Sequence, residues 1–194
     1  MPMIYPDLKN EEVICIDIET KDPELLNMGP GVFRKDGYII GVGIATPTFA
    51  EYYNIGHFNI PDKHKIENLK YITDVLGNNI PKIGANLYYD IDWLENYQGI
   101  KVNGQLIDVQ TAEGLINEYQ GKYSLNFLSE KYLNKTKYYS EIEEYATQMG
   151  WSGNAVSNLW RMPYDVARAY AIVDVKNPIE IWEKQKPILI DEEM

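Results

Sequence analysis

A single cysteine, Cys15, and two histidines, His57 and His64, stand in a chain of 194 residues. The lone thiol excludes a disulfide within the chain and makes a reducing compartment the expectation; set inside an apolar run, it reads as a buried structural group. Two histidines give little support to a zinc centre or to imidazole acid–base chemistry, and both read as surface or structural residues. Positive charge is also scarce, with 18 Lys and Arg against 29 Asp and Glu and a net charge of −11. Such a balance argues against a protein that coats phosphates through a basic stripe, but leaves open an enzyme whose acids hold metal ions. No apolar run approaches membrane-spanning length, and the N-terminus lacks a charged-then-apolar leader, so a cytoplasmic protein without a membrane partner is expected. Internal repeats, low-complexity tracts and linkers are missing too, and one domain over residues 1–194 follows.

What is present is a core: 45% of the residues are hydrophobic, with 16 Tyr and 4 Trp, as in a folded globule. The run Val13–Thr20 reads as a buried strand that turns acidic at its end. Residues 21–35, with Gly29-Pro30-Gly31, read as a loop, and residues 38–45 and 50–55 as two strands forming a meander onto the first. Ile66, Leu69, Ile72, Val75 and Leu76 have helical spacing, ended by Gly77-Asn78-Asn79. A short strand at 82–85 precedes a helix starting at Asn86 or Leu87. Further helices are expected after Asp108 and Ser124 as N-caps, over 141–149, and from Tyr164 through Trp182, with Pro178 kinking or dividing the last. Alternating strand and helix indicates an α/β layered domain.

Asp17 and Glu19, two apart on a strand, project to one side, where like charges repel unless a cation lies between them. A lone Asp-x-Glu can equally solvate a strand end, so the pair needs company. Asp90 arrives in the first turns of the helix after Asn86, and Tyr170 and Asp174, four apart, stack on one helical face. Asp90 alone could serve a helix terminus, and Tyr170 could be a core aromatic. Asp174 interrupts an apolar run, where an unpaired charge is costly.

In this order, Asp17-Ile18-Glu19, Asn86-Leu87-Tyr88-Tyr89-Asp90 and Tyr170 with Asp174 resemble the three motifs of the DEDD exonuclease superfamily. The subgroup resembled is the tyrosine-bearing one, which includes the proofreading 3′-5′ exonuclease domain of family A DNA polymerases. Gly29-Pro30-Gly31-Val32, Tyr123–Leu128 and Lys131-Tyr132-Leu133 further resemble the bacteriophage members. The histidine-bearing subgroup would carry His at position 169, where this chain has Ala169, and Val173 stands where cellular relatives often carry an acid.

The resemblance implies an RNase H-like α/β fold, a mixed five-stranded sheet flanked by helices, and removal of nucleotides from a 3′ end. It also implies two divalent ions, Mg²⁺ or Mn²⁺, about 4 Å apart. On this reading Asp17 bridges the ions, Glu19 and Asp174 share the water-activating one, and Asp90 serves the second through its waters. Tyr170 orients the attacking water, and Thr20 and Asn86 contact substrate. The expected partner is a single-stranded or frayed 3′ end of DNA. Since the chain ends in Asp191-Glu192-Glu193 straight after its last helical segment, the expectation is an N-terminal portion of a longer DNA polymerase, with the polymerising domain in cis and, if viral, working in host cytoplasm. Two alternatives remain: a free-standing RNase D-like exoribonuclease, and a catalytically silent docking domain, against which all five expected residues are present.

Overall fold

Alternation of β-branched residues gives the first apolar run two covered faces, and it becomes the central strand β1 (Ile14–Lys21) of a computed structural model that describes residues 3–57, 61–136 and 140–191. Its even positions, Ile14, Ile16 and Ile18, pack with Ile72 and Leu76 of α2 (Asp62–Leu76) and with Trp93 and Leu94 of a π-helical turn (Trp93–Tyr97). Its odd positions face the other layer. There Cys15 is buried with Val109, Leu128, Val175 and Ile179, so the thiol is structural, as expected. Each fully buried Ile or Leu of such a layer contributes about 1.5–3 kcal/mol relative to exposure.

The sheet order is β3-β2-β1-β4-β5. β2 (Tyr38–Thr46) runs antiparallel to β1, and β3 (Phe49–Asn54) antiparallel to β2, which is the expected meander. The α2 crossover then returns the chain as β4 (Lys82–Gly84), parallel to β1, and β5 (Leu106–Asp108) adds parallel to β4. The sheet is therefore mixed and five-stranded. A fully buried lysine secures its parallel half: Lys82 Nζ donates to the carbonyls of Asn78, Ile80 and Asn103 and to Asn78 Oδ1.

Between β1 and β2 lies a loop that holds one helical turn, α1 (Leu25–Met28), where the sequence had suggested no regular element. α3 (Leu87–Asp92) follows β4, and α4 (Val109–Ile116), α5 (Leu125–Leu133) and α6 (Ser140–Gln148) lead through a 3₁₀ segment (Val156–Arg161) to α7 (Tyr164–Asp191). Of the kink or division expected at Pro178, the division does not occur; α7 continues through both Pro178 and Pro187. An interior proline costs about 3 kcal/mol. Val175, Ile179, Ile181 and Leu189, all buried on either side of Pro178, together outweigh that cost at about 1.5–3 kcal/mol each. Among the described residues no helix is long and apolar enough to cross a membrane.

Candidate active site

Where β1 leaves its apolar half, its odd positions become Asp17 and Glu19, and each faces a glycine on the neighbouring strand: Asp17 pairs with Gly43 and Glu19 with Gly41. A side chain at either glycine would collide, at 43 with Val175 Cγ1 (2.6 Å) and at 41 with the ring of Tyr52 (2.4 Å). The bare backbone at Gly43 thus lets α7 lie down on the sheet close to Asp17. α7 then delivers Tyr170 and Asp174, stacked one turn apart, to the acidic face. The outcome is a three-carboxylate cluster: Asp17, Glu19 and Asp174 each offer an oxygen lying within 4.8 Å of the others. Asp17 is half-buried, whereas Glu19 and Asp174 are each only 7% exposed. Directly past Glu19 the β1–β2 register slips by one residue, an irregularity of the kind that re-aims side chains next to functional sites.

Three like charges at this spacing repel by about 3–4 kcal/mol per pair at the effective dielectric of a protein edge, before solvent screening. Hard oxygen donors in such a cluster suit Mg²⁺ or Mn²⁺, so the residues present fit a divalent ion. Tyr170 adjoins them and is buried. Burial first, then the charges of Asp174, Glu19 and Asp17, push its phenol well above the ordinary tyrosine range. A phenol in that state holds its proton and can donate or accept a hydrogen bond without serving as a base.

Asp90 stands apart from this cluster. Because β4 ends at Gly84, β1 has no strand neighbour on that side beyond its first residues. The Ile18 N–H is taken instead by Asp90 Oδ1 at 2.7 Å, from the fourth residue of α3. Burial pushes this carboxyl up to about 8, against the lowering effect of that N–H. The structure thus brings Asp17, Glu19, Asp174 and Tyr170 together and holds Asp90, outside the 4.8 Å cluster, to the strand residue between Asp17 and Glu19.

Of the two expected substrate contacts, Asn86 is exposed, in the left-handed conformation (φ 61°) that opens α3. Thr20 is already engaged, its Oγ1 lying 2.7 Å from the Tyr89 hydroxyl. Tyr89 in turn donates to Asp22 Oδ2, which also accepts from the Gly31 N–H, while Asp22 Oδ1 meets Arg34 Nη2 at 3.1 Å. Arg34 caps the carbonyls of Met28, Gly29 and Pro30. The loop at residues 22–36 is therefore tied to α3 beside Asp90. Reading the sequence missed this network, because nothing local couples Tyr89 to residues some 67 positions away. Asp108 was read as a cap, and its Oδ1 does accept from Gln110 and Thr111. Its Oδ2 also accepts from the Leu87 N–H, so one carboxylate anchors the starts of both α4 and α3. His57 is buried against Tyr52, with its pKa lowered by burial to about 4, and His64 lies exposed on α2.

Residues 4–190 match the family described as 3′-5′ exonuclease. A DNA-directed DNA polymerase of Pseudomonas phage M6 is 28% identical over 188 residues, covering 93% of this chain and 28% of the polymerase. The chain thus spans under a third of that relative's length. Among solved structures, Brucella melitensis NrnC with bound Mg²⁺ superposes with a TM-score of 0.67 at 16% identity, covering 97% of this chain and 79% of that one. Trypanosoma brucei RNase D in complex with RNA U12 gives 0.64 at 15% identity, covering 91% and 56%. These likenesses bear out the RNase H-like architecture.

Proposed function

The chain belongs to the 3′-5′ exonuclease family, and on that premise we propose that it hydrolyses the terminal phosphodiester bond at single-stranded or frayed 3′ ends of DNA, releasing nucleoside monophosphates. The observation that carries this reading is the convergence of Asp17, Glu19 and Asp174 within 4.8 Å, beside a buried tyrosine.

Two divalent ions, Mg²⁺ or Mn²⁺, would acidify the attacking water and stabilise the departing 3′ oxygen. Asp17, foremost of the three acids, would bridge the two, with Glu19 and Asp174 on the water side. Asp90 would serve the second ion through its waters: its Oδ1 holds the Ile18 N–H, fixing the strand segment between the two ligands and leaving its other oxygen for that contact. Tyr170 keeps its proton and would orient the attacking water by hydrogen bond. Thr20 and Asn86 would meet the terminal nucleotide, Thr20 from within its Tyr89–Asp22 network.

DNA is favoured as substrate because the curated relative is a phage DNA polymerase. On the same ground the chain is assigned the proofreading role within a longer polymerase working in host cytoplasm; a native reading frame ending at Met194 would remove the in-cis part of that assignment. The second reading, an exoribonuclease, is favoured by the likeness to RNase D in complex with RNA. Matched DNA and RNA oligonucleotides, degraded side by side at one salt concentration, decide between them. DNA is expected to be shortened faster, in keeping with the polymerase relative, and unpaired ends faster than paired ones, since bases must unpair to enter the site; faster RNA hydrolysis would transfer the assignment to the second reading.

A further inference from the structure

We propose that Lys21, Trp160, Arg161 and Trp151 form a track that holds the single strand upstream of its 3′ terminus, an assignment that rests on the exonuclease reading above. Lys21 ends β1 two residues after Glu19, about 6–7 Å further along the strand. Its ammonium lies 4.1 Å from the centroid of the Trp160 ring and 5.8 Å from that of Tyr38. The Arg161 guanidinium lies 4.0 Å from the Trp151 ring and 5.7 Å from that of Trp160. Trp151 leans on Tyr145 with centroids 5.7 Å apart. Lysine, indole, guanidinium and indole thus alternate in a row that starts beside the acids.

Tyr38, Trp160, Trp151 and Tyr145 pack on the same apolar cluster as Tyr170, so the row is continuous with the wall of the site. Lys21, Trp160, Arg161 and Trp151 are all half-buried, which fixes them while leaving part of each at the surface. Asn158 Oδ1 accepts from both Nε and Nη2 of Arg161, fixing the guanidinium beside Trp151. Packing alone asks only for an apolar stem over each indole. Two cations in a chain of net charge −11 instead supply attraction for phosphate where most of the surface repels it. A single strand offers phosphates and base faces in alternation, and aromatic platforms with interleaved cations are suited to it without regard to sequence.

The test uses the whole chain carrying Lys21→Met and Arg161→Gln, singly and together, both of which keep an apolar or polar stem over the indoles. For an eight-nucleotide dT strand the double variant is expected to raise KM about 10- to 50-fold with kcat within about twofold. The salt slope of log KM should fall by about 1.4, near 0.7 for each cation removed from a single strand. A dT dinucleotide, which can reach no further than Lys21, should lose less than about threefold on Arg161→Gln. Arg161→Lys should restore most of the salt slope. Equal losses on both lengths with an unchanged salt slope, or a melting temperature lowered in step with activity, would mean that the row is packing only and would overturn the proposal. If the parent chain shortens neither substrate, the exonuclease reading falls by itself; fluorescence anisotropy of the labelled dT strand in chelator then decides the track through the same salt slopes.

Discussion

Asp17→Ala is expected to lower release of nucleoside monophosphates by at least about 1000-fold, the scale on which single electrostatic groups act in such sites. The side chain shares with Glu19 and Asp174 a cluster within 4.8 Å, and on the function proposed above its removal takes away the carboxylate that would bridge the two ions. The folded chain should survive. In chelator the three acids repel one another, and thinning them relieves up to about 3–4 kcal/mol per pair before solvent screening. The variant is therefore expected to melt, in chelator, no lower than the parent. Added Mg²⁺ should raise the parent's melting temperature and leave that of the variant nearly unmoved. The measurement is 3′-end release from a labelled oligonucleotide, with and without chelator, beside a thermal melt. Activity that resists chelation, or a fully active Asp17→Ala chain, would defeat the two-ion mechanism.

Tyr170→Phe separates water positioning from ion binding. The ring is 5% exposed and packs with Ala167, Ala171 and Met162, so phenylalanine keeps the fit while deleting only the hydroxyl. Expected is a loss of about 10- to 1000-fold in kcat, with KM and the Mn²⁺ concentration giving half-maximal rate within about threefold of the parent. Stability should change by about 1 kcal/mol, the net worth of a typical hydrogen bond. A variant that loses its Mn²⁺ response together with its rate would move Tyr170 from orienting water to holding the acids. One with undiminished kcat would show that the hydroxyl has no part in the reaction.

By itself the sequence determined what depends on local period. Strand alternation put Asp17 and Glu19 on one face, helical spacing stacked Tyr170 over Asp174, and the hydrophobic pattern marked β1 as buried and α7 as long. Composition by itself weighed against disulfides and a zinc site, because too few of the necessary side chains exist. Tertiary structure decided everything that depends on which backbone lies beside which. Asp90 was read as a fourth acid of the site, and only the fold shows what holds it: the early end of β4 leaves the Ile18 N–H to be satisfied, and Asp90 Oδ1 accepts it. Gly41 and Gly43 carry no functional mark in the sequence; pairing puts them opposite the acids, where only a bare backbone admits α7 and Tyr52. Asp108 was correctly placed at the start of α4, but its hold on α3 arises only because β5 lies parallel to β4 with Asp108 beside Gly84. Pro178 was read from its own chemistry, which disfavours helix; burial of its neighbours, a non-local quantity, kept the helix whole. Local rules act through bonds within a turn or a pleat and can be read along the chain, whereas these outcomes turn on contacts between segments tens of residues apart, which exist only once the sheet has ordered its strands.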